Sequence, residues 1–373
     1  MRGGAEEYAL CIGTAAVNRG WETHVAFPER DGTAQLRHDF TSNGTCYHSL
    51  EISQVAGHRS HFLVQVVRII ALLLKLKPDA VHLSLQFPDQ CMAGIAACAL
   101  LNFPAVIAFQ LVTDELSVTD GQFRLMNWAR KRNQQWIAIS DNNRELLSKI
   151  FHVSKDDIVL VYNGPVFGKD DNLKNKKQDI IKEVRKELEF SDSDIIVLTV
   201  GRLHRQKGYS YLIPAIPHIL KKHPNTRFVW VGEGEQRSEL ESLLKEYGVD
   251  HRVTLLGYRK DVPRLILAAS IFLFPTLFEG GSSIALLEAM SYGLPIVASN
   301  ASGIPEVVED NVHGVLFRKA DSCSLQAAID WSLDHPEKME EMAVSAGKRV
   351  KEFSNEIMSD KTLGLVEKMV GHR

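Results

Sequence analysis

The chain has 373 residues, of which 45% are apolar and 24% charged, with a formal net charge of −3. That is the make-up of a globular protein too long for one ordinary core, so about two domains are expected. The charge balance supplies no basic surface for nucleic acid as a main partner, and no apolar run reaches the ~20 residues of a membrane span.

The N-terminus lacks a charged-then-apolar leader pattern. The expected location is therefore cytoplasmic, with peripheral contact at the inner membrane face. Residues 4–18 read as a helix, followed by a turn at Arg19-Gly20 and a strand over 23–28 (THVAFP). The chain thus opens in a Gly-rich turn with no strand before it. In a doubly wound sheet such a turn follows the first, central strand. The expectation is a truncated or mis-called start, or else a sheet built without that strand. Asn43-Gly44-Thr45 has the spacing of a glycosylation sequon and reads as a turn.

Arg59–Lys77 reads as an apolar helix with cations at both ends, packed into a core against a sheet. Strands follow at 80–85 (AVHLSL), 104–109 (PAVIAF), 136–140 (WIAIS) and 158–163 (IVLVYN). Cys91 and Cys98 lie in an Ala-rich segment between the first two. The five cysteines show no CxxC spacing and read as reduced, buried thiols. Gln122–Trp136 interleaves cations with aromatics and is, of this segment and Arg59–Lys77, the better candidate for a face toward a membrane surface or an acceptor, the alternative being that its aromatics pack inward.

Residues 167–194 are strongly charged and read as the inter-domain connection plus a surface helix. Beyond them, strands are predicted at 195–200 (IIVLTV), 227–232 (RFVWVG), 252–257 (RVTLLG), 271–276 (IFLFPT) and 295–299 (PIVAS). Apolar strands alternating with helices predict parallel sheets covered on both faces. The fold class is α/β, doubly wound, with domains at 1–165 and 166–345 and a helical segment at 346–373 returning toward the first.

Two motifs carry chemistry. Gly201-Arg202-Leu203, with Lys207-Gly208 after it, follows the strand 195–200, at the strand end where open parallel sheets bind ligands. Arg202 and Lys207 can neutralise a diphosphate there, Arg through a planar fork and Lys as a mobile point charge. The second motif begins with Glu279, passes through Gly280, Gly281, Ser282 and Ser283, and enters a helix carrying Leu287 and Glu288. A strand that ends in small residues and opens a helix presents backbone N–H groups to phosphate at the positive end of the helix dipole. The two carboxylates can hold ribose and sugar hydroxyls.

Weaker signals are read as structural. Gly232-Glu233-Gly234 resembles the start of a dinucleotide fingerprint, but Arg237 stands where the third glycine should be. Asp192-Ser193-Asp194 has metal–nucleotide spacing in a charged linker and reads as a solvated turn. His82 is placed at a strand end, as a possible sugar or acceptor contact or a structural histidine.

GRLHRQKG (201–208), VGEGEQR (231–237), LGYRKDVPRLILAASIFLFPTLFEG (256–280), LLEAMSYGLPIVAS (286–299) and GIPEVVEDNVHGVLF (303–317) together resemble a family 4 retaining glycosyltransferase. GGAEEYAL (3–10), NRGWETHVAFP (18–28), PDAVHLS (78–84), AISDNNRELL (138–147) and VYNGP (161–165) extend the resemblance through the first half. It implies the GT-B fold, two Rossmann-like domains facing a cleft, the first here without its first strand. It implies sugar transfer from a nucleotide-diphosphate sugar to a glycan, lipid-linked or small-molecule hydroxyl, with retention and without metal or cofactor. Arg202 and Lys207 would then bind the diphosphate, together with Gly201. Glu288 would hold the ribose, the 281–287 backbone would cap the phosphates, Glu279 would face the sugar, and Gly3 and Gly4 would approach from the first domain.

Two positions depart from the family pattern. Glu279 and Glu288 are one residue further apart than usual, which places Glu279 less securely. Gln110 stands where the family often has a histidine; it can donate a hydrogen bond to a sugar hydroxyl but carries no proton near neutrality. A non-catalytic sugar-binding scaffold and a sugar-nucleotide epimerase of the same fold are the alternatives.

Overall fold

The computed structural model describes residues 4–51, 59–165, 175–281 and 283–371. The chain divides into two compact units: Met1–Asn163 with Asn355–Arg373, and Gly164–Ser354.

In the first unit, α1 (Gly4–Asn18) leads to β1 (His24–Phe27), α2 (Ala34–Ser42) and β2 (Cys46–Ser49). Then come α3 (Arg59–Leu76), β3 (Val81–Leu85), α4 (Met92–Leu101), β4 (Ala105–Phe109), α5 (Asp120–Arg130), β5 (Gln134–Ala138), α6 (Asp141–Phe151) and β6 (Ile158–Leu160). Strands β3 to β6 form a parallel sheet in chain order, while β1 and β2 pair parallel with each other alone. Among the described residues no strand bridges β1 and β3. This is the sheet expected when the first, central strand is missing from the layer.

Strand β4 shows why this sheet needs cover on both sides, since all five of its residues are buried. Alternate side chains of a strand point to opposite faces. Val106 and Ala108 meet Tyr8, Ile12 and Ala16 of α1, whereas Ile107 and Phe109 pack with Trp136 and with Met126, Leu147 and Phe151 of α5 and α6. Side-chain caps set the helix starts: Thr119 and Gln122 form a reciprocal capping box on α5, and Ser140 accepts from Asn143 N on α6.

The second unit holds α7 (Lys177–Glu187), β7 (Ile195–Val200), α8 (Tyr209–Leu212), α9 (Ile216–Lys222), β8 (Thr226–Val231), α10 (Arg237–Glu246), β9 (Val253–Gly257) and α11 (Val262–Ala268). It continues through β10 (Ile271–Phe274), α12 (Ile284–Ser291), β11 (Ile296–Ser299), α13 (Ile304–Val307), β12 (Val315–Phe317), α14 (Ser322–Asp334) and α15 (Pro336–Arg349). Its sheet is parallel, with order β12-β11-β10-β7-β8-β9. The chain therefore runs outward from β7 to β9, then crosses to β10 on the other side of β7. The strand order reverses between β7 and β10, and the crevice beyond their C-terminal ends is the ligand position of such sheets.

The last helix, α16 (Asn355–Gly371), belongs to the first unit. Its Met358, Leu363 and Val366 join the α1 cluster, and Arg19 bonds Asp360 at 2.6 Å and Glu367 at 2.9 Å. Helix α15 runs through the expected boundary at 345/346. Two strands, β2 and β12, were not expected from sequence; they are short, and the side chains of β2 are polar (Cys46–Ser49).

Candidate functional site

The loop leaving β7 and the loop leaving β10 are laced together at the point where the sheet order reverses. Gln206 O accepts from Leu277 N (2.7 Å) and from Thr276 Oγ1 (2.9 Å), and Gln206 Nε2 donates to Phe278 O (2.9 Å). Gly208 permits the approach. Its φ is +69°, and a Cβ there would lie 2.0 Å from Pro275 O. His204 Nδ1 accepts from Gln206 N at 3.1 Å and starts the single 3₁₀ turn that carries Lys207.

Within this lacing, Lys207 Nζ donates to Glu279 Oε1, and both side chains are almost out of solvent (14% and 11% exposed). Thr276 Oγ1 lies 3.0 Å from the same carboxylate oxygen, which competes with Gln206 O for its one hydroxyl proton. The ammonium also lies 4.9 Å from the Phe274 ring centroid, over its negative face. Glu279 N donates to Ser302 Oγ at 3.2 Å. The aliphatic stem of Lys207 runs over Gly201, where a Cβ would sit 3.2 Å from Lys207 Cε. Lys207 and Glu279 are thus one unit, held by the ends of two adjacent strands.

Arg202 stands apart from that pair. It is 57% exposed, and its Nη2 donates to Glu235 Oε2 at 3.0 Å, a carboxylate also 3.3 Å from His204 Nε2. Such an exposed pair holds its partners weakly, so the guanidinium can be redirected toward an anion. The Glu235 carboxyl is held below its usual range by its own backbone N–H and by Arg202 and His204, against some desolvation.

The backbone under Arg202 is fixed by the next loop. Leu203 N donates to Glu233 O (3.1 Å) and Gln236 N to Leu203 O (3.1 Å). Gly232 and Gly234 make this possible, since a Cβ on them would fall 2.0 Å from Gly201 O and 2.2 Å from Leu203 O. The glycines read as a partial dinucleotide fingerprint support the 201–203 backbone instead.

Glu288 is buried, fifth along α12, whose first intrahelical bond runs from Leu287 N to Ser283 O (3.0 Å). Leu287 is fully buried and anchors the helix. Ser283 occupies the N-cap position without turning its hydroxyl onto the first-turn N–H groups. Gly280 and Gly281 are buried in the turn before it. Gly3 and Ser282 lie outside the described residues; Gly4 is the first residue of α1.

In the first unit, Gln110 directly follows β4. Its Oε1 accepts from Asn163 Nδ2 at 3.1 Å, and its Nε2 is buried without a hydrogen-bond partner among the described residues. His82 corrects its expected position. It is the second residue of β3, near the N-terminal end, and not the C-terminal end where ligands bind. It bonds Tyr8 OH at 3.2 Å, which in turn lies 3.4 Å from Thr362 Oγ1 of α16. The packing around the ring desolvates it and pulls its pKa down to about 4.

Asp194 is not solvated either. It is buried at the end of the turn before β7, accepting from Ser191 N (2.8 Å) and Arg227 Nε (3.2 Å). Among the described residues no group of three or more His, Cys, Asp or Glu side chains could hold a metal ion. A cavity of about 480 Å³ lined by Glu306, His313, Lys348 and Arg349 includes none of the expected site residues. Glu235, Thr276, Phe274 and Asn163 were not singled out from sequence; only the glycines at 232 and 234 hinted at the Glu235 loop.

Residues 180–349 match the family model for glycosyl transferases group 1, and residues 2–165 that for glycosyltransferase family 4. An uncharacterised glycosyltransferase of Methanocaldococcus jannaschii is 32% identical over 199 residues, covering 52% of this chain and 50% of that protein. The UDP-Gal:alpha-D-GlcNAc-diphosphoundecaprenol alpha-1,3-galactosyltransferase of Escherichia coli is 30% identical over 273 residues, covering 71% of this chain and 68% of the relative. The match to the first relative therefore spans half its length. Among solved structures, a glycosyltransferase from Rickettsia africae superposes with a TM-score of 0.85 at 15% identity, covering 100% of this chain and 96% of that one. Anabaena HepE, solved in complex with UDP-glucose, gives 0.81 at 20%, covering 99% and 97%.

Proposed function

Because the chain belongs to the group 1, family 4 glycosyltransferases and has their GT-B fold, we propose that it moves a hexose-type sugar from a nucleotide-diphosphate sugar to a hydroxyl acceptor. The transfer retains anomeric configuration and uses neither metal nor cofactor. The acceptor is a glycan or lipid-linked, in line with the lipid-diphosphate acceptor in the name of the Escherichia coli relative. The observation that carries the reading is the Lys207–Glu279 pair beyond β7 and β10, where the sheet order reverses, with Arg202 and the start of α12 on the same strand ends.

As the anomeric C–O bond breaks, positive charge develops on the sugar and negative charge on the departing diphosphate. Lys207, already desolvated, and Arg202, released from Glu235, stabilise that negative charge. Preorganised charges of this kind are often the largest catalytic contribution. The N–H groups opening α12 add a fixed partial positive charge. Glu279 orients Lys207 and faces the sugar; Glu288 takes the ribose hydroxyls. Gln110, its carbonyl oxygen occupied by Asn163, can give its buried N–H₂ to a sugar or acceptor hydroxyl only after its side chain turns. With no protein nucleophile assigned, the acceptor attacks from the face the diphosphate leaves, and the leaving phosphate takes its proton.

A thermal-shift panel of UDP-, GDP- and ADP-sugars is the direct test, because a ligand of the native state raises Tm by mass action. One nucleotide class should stabilise the protein, and Glu288→Gln should lose most of that shift. Absence of any shift across the panel would sink the assignment. Product NMR reads the anomeric outcome, and turnover in chelator tests the metal-free step.

A further inference from the structure

Helix α3 was expected to be a core helix, and one face of it is. Val66, Ile69 and Leu73 are buried against Ala93, Ala96, Ala97 and Cys98 of α4. The opposite face is apolar too and has no cover among the described residues. Leu63, Val64, Val67 and Leu74 are 61%, 48%, 64% and 55% exposed, with exposed Ala71 among them. At 3.6 residues per turn these five positions fall within an arc of about 100°. Arg68 and Lys75, both exposed, lie along one border of that arc, and Lys77 follows the helix end. The helix contains no acidic residue.

Exposed aliphatic side chains in a stripe are a costly surface for water, and scattered single ones are not. The cationic border limits what can cover it. A stripe of Leu and Val edged by Arg and Lys, on a helix without carboxylates, suits a surface that is apolar inside and anionic outside. By contrast, the aromatics of 122–136 turn inward. Phe123 and Trp128 pack on the cluster around Met126 and Trp136, and Arg132 stacks over the Trp128 ring at 4.7 Å.

We propose that the exposed face of α3 is a docking surface for an anionic lipid bilayer, lying in the headgroup region with Leu63, Val67 and Leu74 inserted and Arg68 and Lys75 on the phosphates. No helix among the described residues is long and apolar enough to cross a membrane, which fits a helix lying on the surface. The inference does not depend on the proposed sugar transfer.

Co-sedimentation with one-to-one phosphatidylglycerol–phosphatidylcholine vesicles, against pure phosphatidylcholine, tests it. The protein should bind the anionic vesicles far better, and less as salt rises. Val67→Asp and Leu74→Asp should each weaken binding by about tenfold or more, as expected for losing a buried aliphatic side chain. Arg68→Gln and Lys75→Gln should each cost about fivefold, the equivalent of about 1 kcal/mol per cation. Unchanged circular dichroism and nucleotide-induced Tm shift would show that the variants fold. Equal binding to neutral vesicles, no binding by the wild type, or full binding by the Val67 and Leu74 variants would overturn the proposal. So would a dimer in light scattering that Val67→Asp dissociates, which would assign the face to a second copy of the chain.

Discussion

Removing one member of the Lys207–Glu279 pair tests whether the site is a single electrostatic unit. Both side chains are close to fully buried, and the carboxylate has Thr276 Oγ1 at 3.0 Å besides the ammonium. Lys207→Met keeps the length of the stem over Gly201 and deletes the charge. Glu279 is then a buried carboxylate without its cation, a change that costs about 3–5 kcal/mol when a buried pair is broken from one side. For a domain of this size that is a fall of roughly 6–20 °C in Tm. Glu279→Gln should cost less. The amide can still accept from Thr276, and Lys207 keeps the Phe274 ring, a contact worth up to about 2 kcal/mol when desolvated. The double variant should then be no less stable than Lys207→Met alone, giving a coupling of about 1–3 kcal/mol in a double-mutant cycle. Urea titration of the four proteins measures it, and nucleoside-diphosphate thermal shifts on the same samples show whether the anion needs Lys207. Additive single-variant losses would refute the argument that the two residues act as one.

Arg202→Ala should change stability by no more than about 0.5 kcal/mol, because its partner Glu235 is half-exposed. If Arg202 clamps the leaving group, the same change should lower kcat about 10²–10³-fold; near wild-type turnover would count against the role. Gly208→Ala should destabilise by more than the ~1–2 kcal/mol of a left-handed alanine, since the new Cβ meets Pro275 O at 2.0 Å; an unchanged melting curve would contradict the close approach of the two loops. His82, with a native pKa of about 4 against an ordinary 6.5, makes stability pH-dependent. The unfolded chain takes up the proton first, so stability is full above about pH 6.5 and falls as pH drops toward 4, by at most about 3 kcal/mol. His82→Gln should flatten that slope in urea titrations from pH 7 to 4.

The α/β class was legible because the strands of a doubly covered sheet must be apolar on both faces, and β4, β7, β10 and β11 are apolar throughout but for Thr199 and Ser299. The residues after β7 and β10 were legible for a related reason: charge and glycine placed directly behind such runs sit at strand ends. What those residues touch was not. Lys207 and Glu279 are 72 positions apart, and nothing local in either segment says that one neutralises the other, or that Arg202 rests on Glu235. His82 was misplaced although the predicted run 80–85 already sets it three residues before the C-terminal end, Leu85, which the observed strand shares. The polar β2 escaped notice because it pairs only with β1 and carries no apolar period.

Helix α3 and segment 122–136 mark the limit most clearly. Aromatics among cations look interfacial, yet Phe123 and Trp128 had a core beside them to fill. An apolar helix looks internal, yet α3 is apolar around most of its circumference, and α4 covers only one side. Hydrophobic content fixes how much surface a segment needs to bury, whereas the number of neighbours the fold provides decides how much is left over. Among the described residues the fold packs α3 along one side only, and the cations along its open edge specify the charge of what covers the other.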